Sequence, residues 1–296
     1  MNATRTGIVF LIACLLLLAP LTLACEGSPK TVQGTARSSD ELSIAYDVRG
    51  KGDTALVFLH GWCGDRSYWR HQVDAFAGDY KIVAVDLGGH GESGKDRKQW
   101  TVQSLAADVE AVVKKLGLKR VILVGHSMGG PVSLAAAKSM PGTVVAVVGV
   151  DTLHNAEFKW PEETSKKFLE GFEKDFKGTL RVGLRGMLPA KVDAKLLKWI
   201  QDKAEVQDPK MALGLMRNMA RLDQKTLLQN AKVPVRCINS AGGFQLAIKT
   251  ADDVNKKYAD FKAVLMEGVG HYPMLEKPAE FNKKLREVLK EFRAER

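Results

Sequence analysis

One hexapeptide narrows the folds open to this chain more than any other feature of its sequence: Gly125-His126-Ser127-Met128-Gly129-Gly130. It directly follows the apolar run Val121-Ile122-Leu123-Val124 and directly precedes a stretch of helical composition. A strand that becomes a helix within so few residues needs a sharp, strained turn with small neighbours. Gly125 and Gly129, two positions either side of Ser127, meet that need. Such a turn lifts the serine hydroxyl out of the sheet and sets a helix N-terminus, with its free N–H groups, beneath it.

The surrounding sequence supplies a sheet for this turn. Residues 56–59, 82–85 and 121–124 are short continuous apolar runs, which suit central parallel strands covered on both faces. Residues 144–150, 233–238 and 261–266 continue the series less uniformly, and 42–46 alternates like a half-buried strand. Helical stretches are expected at 102–115, 130–138, 251–258 and 278–293. The alternation predicts an α/β fold, a mostly parallel doubly wound sheet with right-handed crossovers. Between 153 and 232 it stops. That block reads as successive helices, broken at Gly186, Pro189 and Asp208-Pro209, and is expected to form a cap over the strands' C-terminal ends. The sheet core is then 41–152 with 233–296.

Composition matters for what it excludes. With 45% hydrophobic and 26% charged residues, the chain is neither disordered nor a dense disulfide scaffold. Its one long apolar run, residues 8–24, follows Arg5 and ends in small residues, which excludes a polytopic membrane protein and marks 1–24 as an export signal. Leu21-Thr22-Leu23-Ala24-Cys25 resembles the lipobox of bacterial lipoproteins, with Thr22 where that pattern usually has Leu. The resemblance implies lipidation at Cys25 and membrane attachment in the bacterial cell envelope, and the polar residues 26–36 point to a tether over 25–40. Plain secretion or a periplasmic location, and an uncleaved anchor, stay open. The net charge of +10 is scattered in pairs such as Lys114-Lys115 and Lys283-Lys284, usually among acids, so no nucleic-acid partner is expected. Cys63 and Cys237 have no metal-type spacing and read as free thiols. No metal motif or dinucleotide fingerprint is present, so no cofactor is expected.

Four motifs, taken in order, resemble the α/β-hydrolase superfamily. They are His60-Gly61-Trp62, Asp86 with Gly88-Gly89-His90-Gly91, the Ser127 turn, and Gly270-His271. The resemblance spans residues 42–292. It implies that Ser127 is the nucleophile, His271 the general base, and the backbone N–H groups of Trp62 and Met128 the oxyanion hole. His126 is expected to pack under the turn. Asp86 precedes Ser127, which argues against a triad role; it either braces a loop or lies in a surface turn. The triad acid usually follows the strand at 233–238, yet Asn239-Ser240-Ala241-Gly242-Gly243-Phe244 contains no carboxylate. Some members carry the acid one strand earlier, which points to Asp151. Asp252, Asp253 or a site without an acid are the alternatives.

A serine nucleophile implies acyl transfer, so the expected activity is hydrolysis of small to medium apolar carboxylic esters through an acyl-enzyme. A C–C hydrolase, amidase or acyltransferase with the same triad, and a non-catalytic ligand-binding protein, remain open. Trp62, Trp160 and Phe172 are the expected substrate contacts. Phe158, Phe168, Met187, Trp199, Met211, Leu215, Met216 and Met219 either face the cleft or pack cap against core. The sequence carries no signal for oligomeric state.

Overall fold

Strands whose residues are apolar on both faces stand together at the centre of one eight-stranded sheet. The computed structural model describes residues 30–159, 161–242 and 251–293. The export signal, Cys25 and Trp160 lie outside the described residues. The strands are β1 (Val32–Arg37), β2 (Ser43–Arg49), β3 (Thr54–Leu59), β4 (Lys81–Val85), β5 (Arg120–His126), β6 (Val144–Val150), β7 (Val235–Ser240) and β8 (Phe261–Met266). Across the sheet their order is β1-β2-β4-β3-β5-β6-β7-β8; β1 and β2 are antiparallel additions at one edge, and β3 to β8 run parallel.

Alternate residues of β3 and β4 feed two separate cores. Ala55, Val57, Leu59, Val83 and Val85 pack on one face with α2 (Val102–Lys115) and α3 (Gly129–Ser139). Leu56, Phe58, Ile82 and Ala84 face the other way, with α1 (Arg70–Phe76) and α11 (Pro278–Lys290). Helices on both faces make this the doubly wound α/β fold that the alternation predicts.

Five helices separate β6 from β7: α4 (Glu162–Lys174), α5 (Phe176–Gly186), α6 (Ala194–Glu205), α7 (Pro209–Ala220) and α8 (Gln224–Ala231). Asp175, Asp193, Asp208 and Asp223 each cap the following helix by accepting a first-turn backbone N–H. The block expected as cap is not uniform. α8 packs on α3, and its Leu228 and Ala231 join the core beside α2 and α3.

Two other expectations change. The tether expected over 25–40 includes β1, which pairs along its whole length with β2. Its side chains are mostly exposed at the sheet edge, so apolar patterning gave no hint of it. The helix expected over 251–258 ends earlier, in α9 (Ala251–Asn255), and two short helical turns, α10 (Pro273–Glu276) and a 3₁₀ turn at Arg66–Trp69, complete the set among the described residues.

Parallel register aligns the strand ends. Leu59, Gly125 and Gly149 are neighbours across β3, β5 and β6, so the loops leaving these strands emerge on one edge. Trp62, Ser127, Asp151 and His271 all sit on such loops.

Candidate active site

Ser127 adopts φ +50°, the left-handed backbone that the sharp turn requires. A Cβ on Gly125 would stand 2.1 Å from the Gly129 carbonyl oxygen, so no larger residue fits there. The Ser127 N–H donates to the Val150 carbonyl at 3.0 Å, and its own carbonyl accepts from Gly130 N–H (2.9 Å) and the Thr152 hydroxyl (2.7 Å). These bonds fix the turn against the end of β6.

Met128 precedes the first turn of α3, and Trp62 follows Gly61 in the loop after β3. Neither backbone N–H has a backbone acceptor among the described residues. Gly61 allows the close approach: a Cβ there would lie 2.7 Å from His126 Nδ1. The Trp62 indole N–H donates to the Ala212 carbonyl of α7 at 2.8 Å, and its ring meets Phe172 edge-on at 5.5 Å.

His271 is held from several directions. Its N–H donates to the Met187 carbonyl at 2.9 Å, and its carbonyl accepts from His126 Nε2 at 2.7 Å. Glu276 brackets the loop, accepting the Gly270 N–H at 2.8 Å and the Tyr272 N–H at 2.9 Å. The ring Nδ1 lies 2.6 Å from Asp151 Oδ2. The other carboxylate oxygen, Oδ1, accepts from the Ser240 N–H (2.9 Å) and hydroxyl (3.0 Å). Asp151 itself adopts φ +45° and is almost wholly buried. Burial pushes its carboxyl up, but the His271 hydrogen bond, the attraction of His271 and His154, and the Ser240 N–H outweigh it and hold the group below its ordinary value.

Other polar groups brace the loops. Burial pulls His126 down to about 3, so it is neutral and donates from Nε2. His60, pulled down to about 4, donates from Nδ1 to the Gly61 carbonyl (2.8 Å) and accepts the Leu87 N–H on Nε2 (3.0 Å). That bond joins the loop after β3 to the loop after β4. Asp86 is buried too, accepting from Arg66 N–H (2.7 Å) and Glu92 N–H (2.8 Å) and pairing with the Arg66 guanidinium.

A cavity of about 310 Å³ opens at Ser127 and His271 under the cap. Trp62, Met128, Phe158, Phe168, Phe172 and Met216 are among its walls. The chain therefore combines a strained serine, a carboxylate-bound imidazole, two unpaired amides and an apolar cleft at one sheet edge. The model of the family described as alpha/beta hydrolase fold matches residues 54–225. The chain belongs to that family.

This α/β hydrolase is similar to esterases in sequence and to solved structures in fold. It is 27% identical over 243 residues to the pimeloyl-[acyl-carrier protein] methyl ester esterase of Yersinia pseudotuberculosis serotype IB (strain PB1/+), covering 79% of this chain and 92% of that one. Among solved structures, a thermophilic esterase from Thermogutta terrifontis superposes with TM-score 0.77 at 20% identity, covering 88% of this chain and 98% of that one. The enol-lactonase from Burkholderia xenovorans LB400 gives TM-score 0.77 at 19% identity, covering 87% and all of its own 100%.

Within this α/β hydrolase, Ser127, His271, Asp151, Trp62, Met128 and Phe172 converge on one edge. The other acids turn away: Asp252 accepts the Ala263 N–H (2.6 Å) and Asp253 pairs with Lys256 (2.6 Å). Of the cap side chains, Phe158, Phe168, Met187, Met216 and Met219 line the cleft. Met211 and Leu215 are instead buried in the core, and Trp199 packs 5.4 Å from Tyr68 with the Arg70 guanidinium over its ring. Cys63 and Cys237 are buried free thiols on opposite faces of the sheet.

Sequence reading missed Ser240, Glu276 and His154. Ser240 carried a faint signal, since the position that lacks an acid holds a group able to bond one. Glu276 looked like one more charge near an amphipathic helix. Only the fold of the loop back onto α10 gives it a role.

Proposed function

We propose that the chain is a serine hydrolase cleaving carboxylic esters with small to medium apolar acyl groups. The observation that carries this is the 2.6 Å contact of His271 with the buried Asp151 carboxylate, at a cavity shared with Ser127. With Nδ1–H donating to Asp151, His271 Nε2 keeps its lone pair and accepts the Ser127 proton as Oγ attacks the ester carbonyl. The developing oxyanion is received by the Met128 and Trp62 N–H groups, which supply charge stabilisation without reorganising. His271 then returns the proton to the departing alcohol. Water, deprotonated by the same imidazole, releases the acid from Ser127. Asp151 stays ionised throughout and keeps the imidazole in the tautomer this requires.

The cleft supports an apolar acyl group, because Phe158, Phe168, Phe172 and Met216 supply wall area with few hydrogen-bonding groups. The esterase names of the relatives agree with this reading. Ser127→Ala is expected to fold normally and to lose p-nitrophenyl ester turnover to below about a hundredth of wild type. Residual turnover above that, with contamination excluded, contradicts the assignment.

Export and lipid attachment at Cys25 belong to the same proposal, resting on the apolar segment at 8–24 and the small residues before Cys25. Stable anchoring needs more than one acyl chain. Mass spectrometry of the mature N-terminus tests this: a diacylated or triacylated Cys25 is expected. An unmodified start at Cys25 or another cleaved position would mean a soluble secreted or periplasmic protein, and an uncleaved start an anchored one.

A further inference from the structure

His271 leans on the cap at a place where no side chain intervenes. Three consecutive N–H groups of the loop after β8 are taken up there. Gly270 and Tyr272 donate to the two oxygens of Glu276, and His271 between them donates to the Met187 carbonyl at 2.9 Å. Met187 lies just past α5, so the middle bond crosses from sheet to cap. The approach is backbone on backbone. A Cβ on Gly270 would stand 2.4 Å from the Met187 carbonyl oxygen and 2.9 Å from Leu188 Cα. A displacement of the turn at 187–190 is therefore carried to His271, with no flexible side chain to absorb it.

That turn needs something to hold its shape. Its carbonyls at 188–190 lie beyond the end of α5, outside the helical ladder. Their one backbone donor among the described residues is the Val192 N–H, at Pro189 (3.1 Å). Arg185, in the last turn of α5, supplies the rest. Its Nη1 donates to the carbonyls of Leu188 (3.3 Å) and Pro189 (3.1 Å), and its Nη2 to that of Ala190 (3.0 Å). The half-buried guanidinium pairs with no carboxylate among the described residues, whereas Arg181, one turn back, pairs with Glu205. A planar fork can reach three carbonyls at once, and here it spends its donors on the turn that receives His271. Leu184 and Leu188 are buried in the same core as Val269 and Tyr272, which flank Gly270 and His271.

We propose that Arg185 is a positioning residue for His271, fixing the 187–190 turn so that the Met187 carbonyl holds the histidine backbone in line with Asp151 and Ser127. This rests on the esterase reading above. Arg185→Met keeps the apolar stem and removes the fork. Its kcat on p-nitrophenyl butyrate is expected to fall at least about tenfold and up to about a hundredfold, the cost of a small misplacement of a reacting group. KM should change by less than about twofold. Fluorophosphonate labelling of Ser127, which needs the imidazole but not the ester, should slow by a similar factor. Arg185→Lys should recover little, since one ammonium cannot span three carbonyls. Millimolar guanidinium chloride should raise the kcat of Arg185→Ala, and sodium chloride should not. Arg181→Met loses the same charge from the same helix and should keep the wild-type kcat. A normal kcat and labelling rate in folded Arg185→Met overturn the proposal. An equal loss in Arg181→Met overturns it too, by assigning the effect to α5 as a whole. So does a raised KM at unchanged kcat, which would assign it to the cleft wall at Met187. If Arg185→Met does not fold, the lysine variant decides in its place, and a full rate there overturns the proposal. A wild type that labels but cleaves no ester overturns the esterase reading alone, and the labelling rates then decide on Arg185. A wild type that does neither overturns both.

Discussion

Asp151 is charged while almost wholly buried, and the groups around it show how. Its two oxygens receive three hydrogen bonds, from His271 Nδ1 and from the N–H and hydroxyl of Ser240. Asp151→Asn keeps the size and can keep the Ser240 bonds. Its amide N–H would face His271 Nδ1 and force the proton onto Nε2, where the proposed mechanism needs a lone pair. The rate per active site, normalised by active-site titration, is expected to fall about 10⁴-fold with little change in folding. A normal rate per titrated site would remove Asp151 from the proton path. The residue was legible because the loop after β7 offers no carboxylate and the end of β6 offers one. His154 was not legible, since a lone histidine three residues after an acid carries no pattern. Only the left-handed kinks at Asp151 and Leu153 bring it beside the Asp151 carboxylate.

Three elements converge on the loop after β8. The carbonyl of Met187 at the end of α5, His126 on β5, and Glu276 on α10 each take one of its backbone groups or more. The cap and the sheet thus share the task of placing the imidazole. Glu276→Gln retains one acceptor oxygen but presents an amide N–H to the second loop N–H, leaving a donor unpaired. The expected result is a lower kcat with little change in KM, and a loss of about 1–3 kcal/mol in stability from urea unfolding. An unchanged kcat would mean that the loop holds without the bracket. Elements with clear punctuation were readable: α2 runs over the expected 102–115, and Asp208-Pro209 does open α7. Elements placed by tertiary contact were not. β1 is polar and exposed, so only its pairing with β2 makes it a strand. α8 has the composition of a cap helix and joins the core because α3 offers a surface to it.

For the molecule as a whole, order along the chain carried more than composition. Four short motifs separated by strand-like runs say which strand ends meet, because parallel strands joined by right-handed crossovers bring the loops that leave them to one edge. The same burial that organises the loops makes the fold sensitive to acid. His60, His90 and His126 are buried and neutral, pulled by burial to about 4, 3 and 3 from an ordinary value of 6.5. Below pH 6.5 the unfolded chain binds protons that the folded chain refuses, so stability falls as pH drops through that range. Each histidine adds to this loss in the same direction, and the three together steepen it until their folded values are approached. Urea midpoints should therefore decline steeply between about pH 6 and pH 4, and a flat profile there would contradict neutral burial of these rings. The covalent reactivity proposed for Ser127, with His271 as its base, is read out by intact-mass and peptide-mass analysis after treatment with a fluorophosphonate. One adduct per chain, located on the peptide carrying Ser127 and sharply slowed in Asp151→Asn, is the predicted result. An unlabelled chain, or an adduct on another residue, would contradict it.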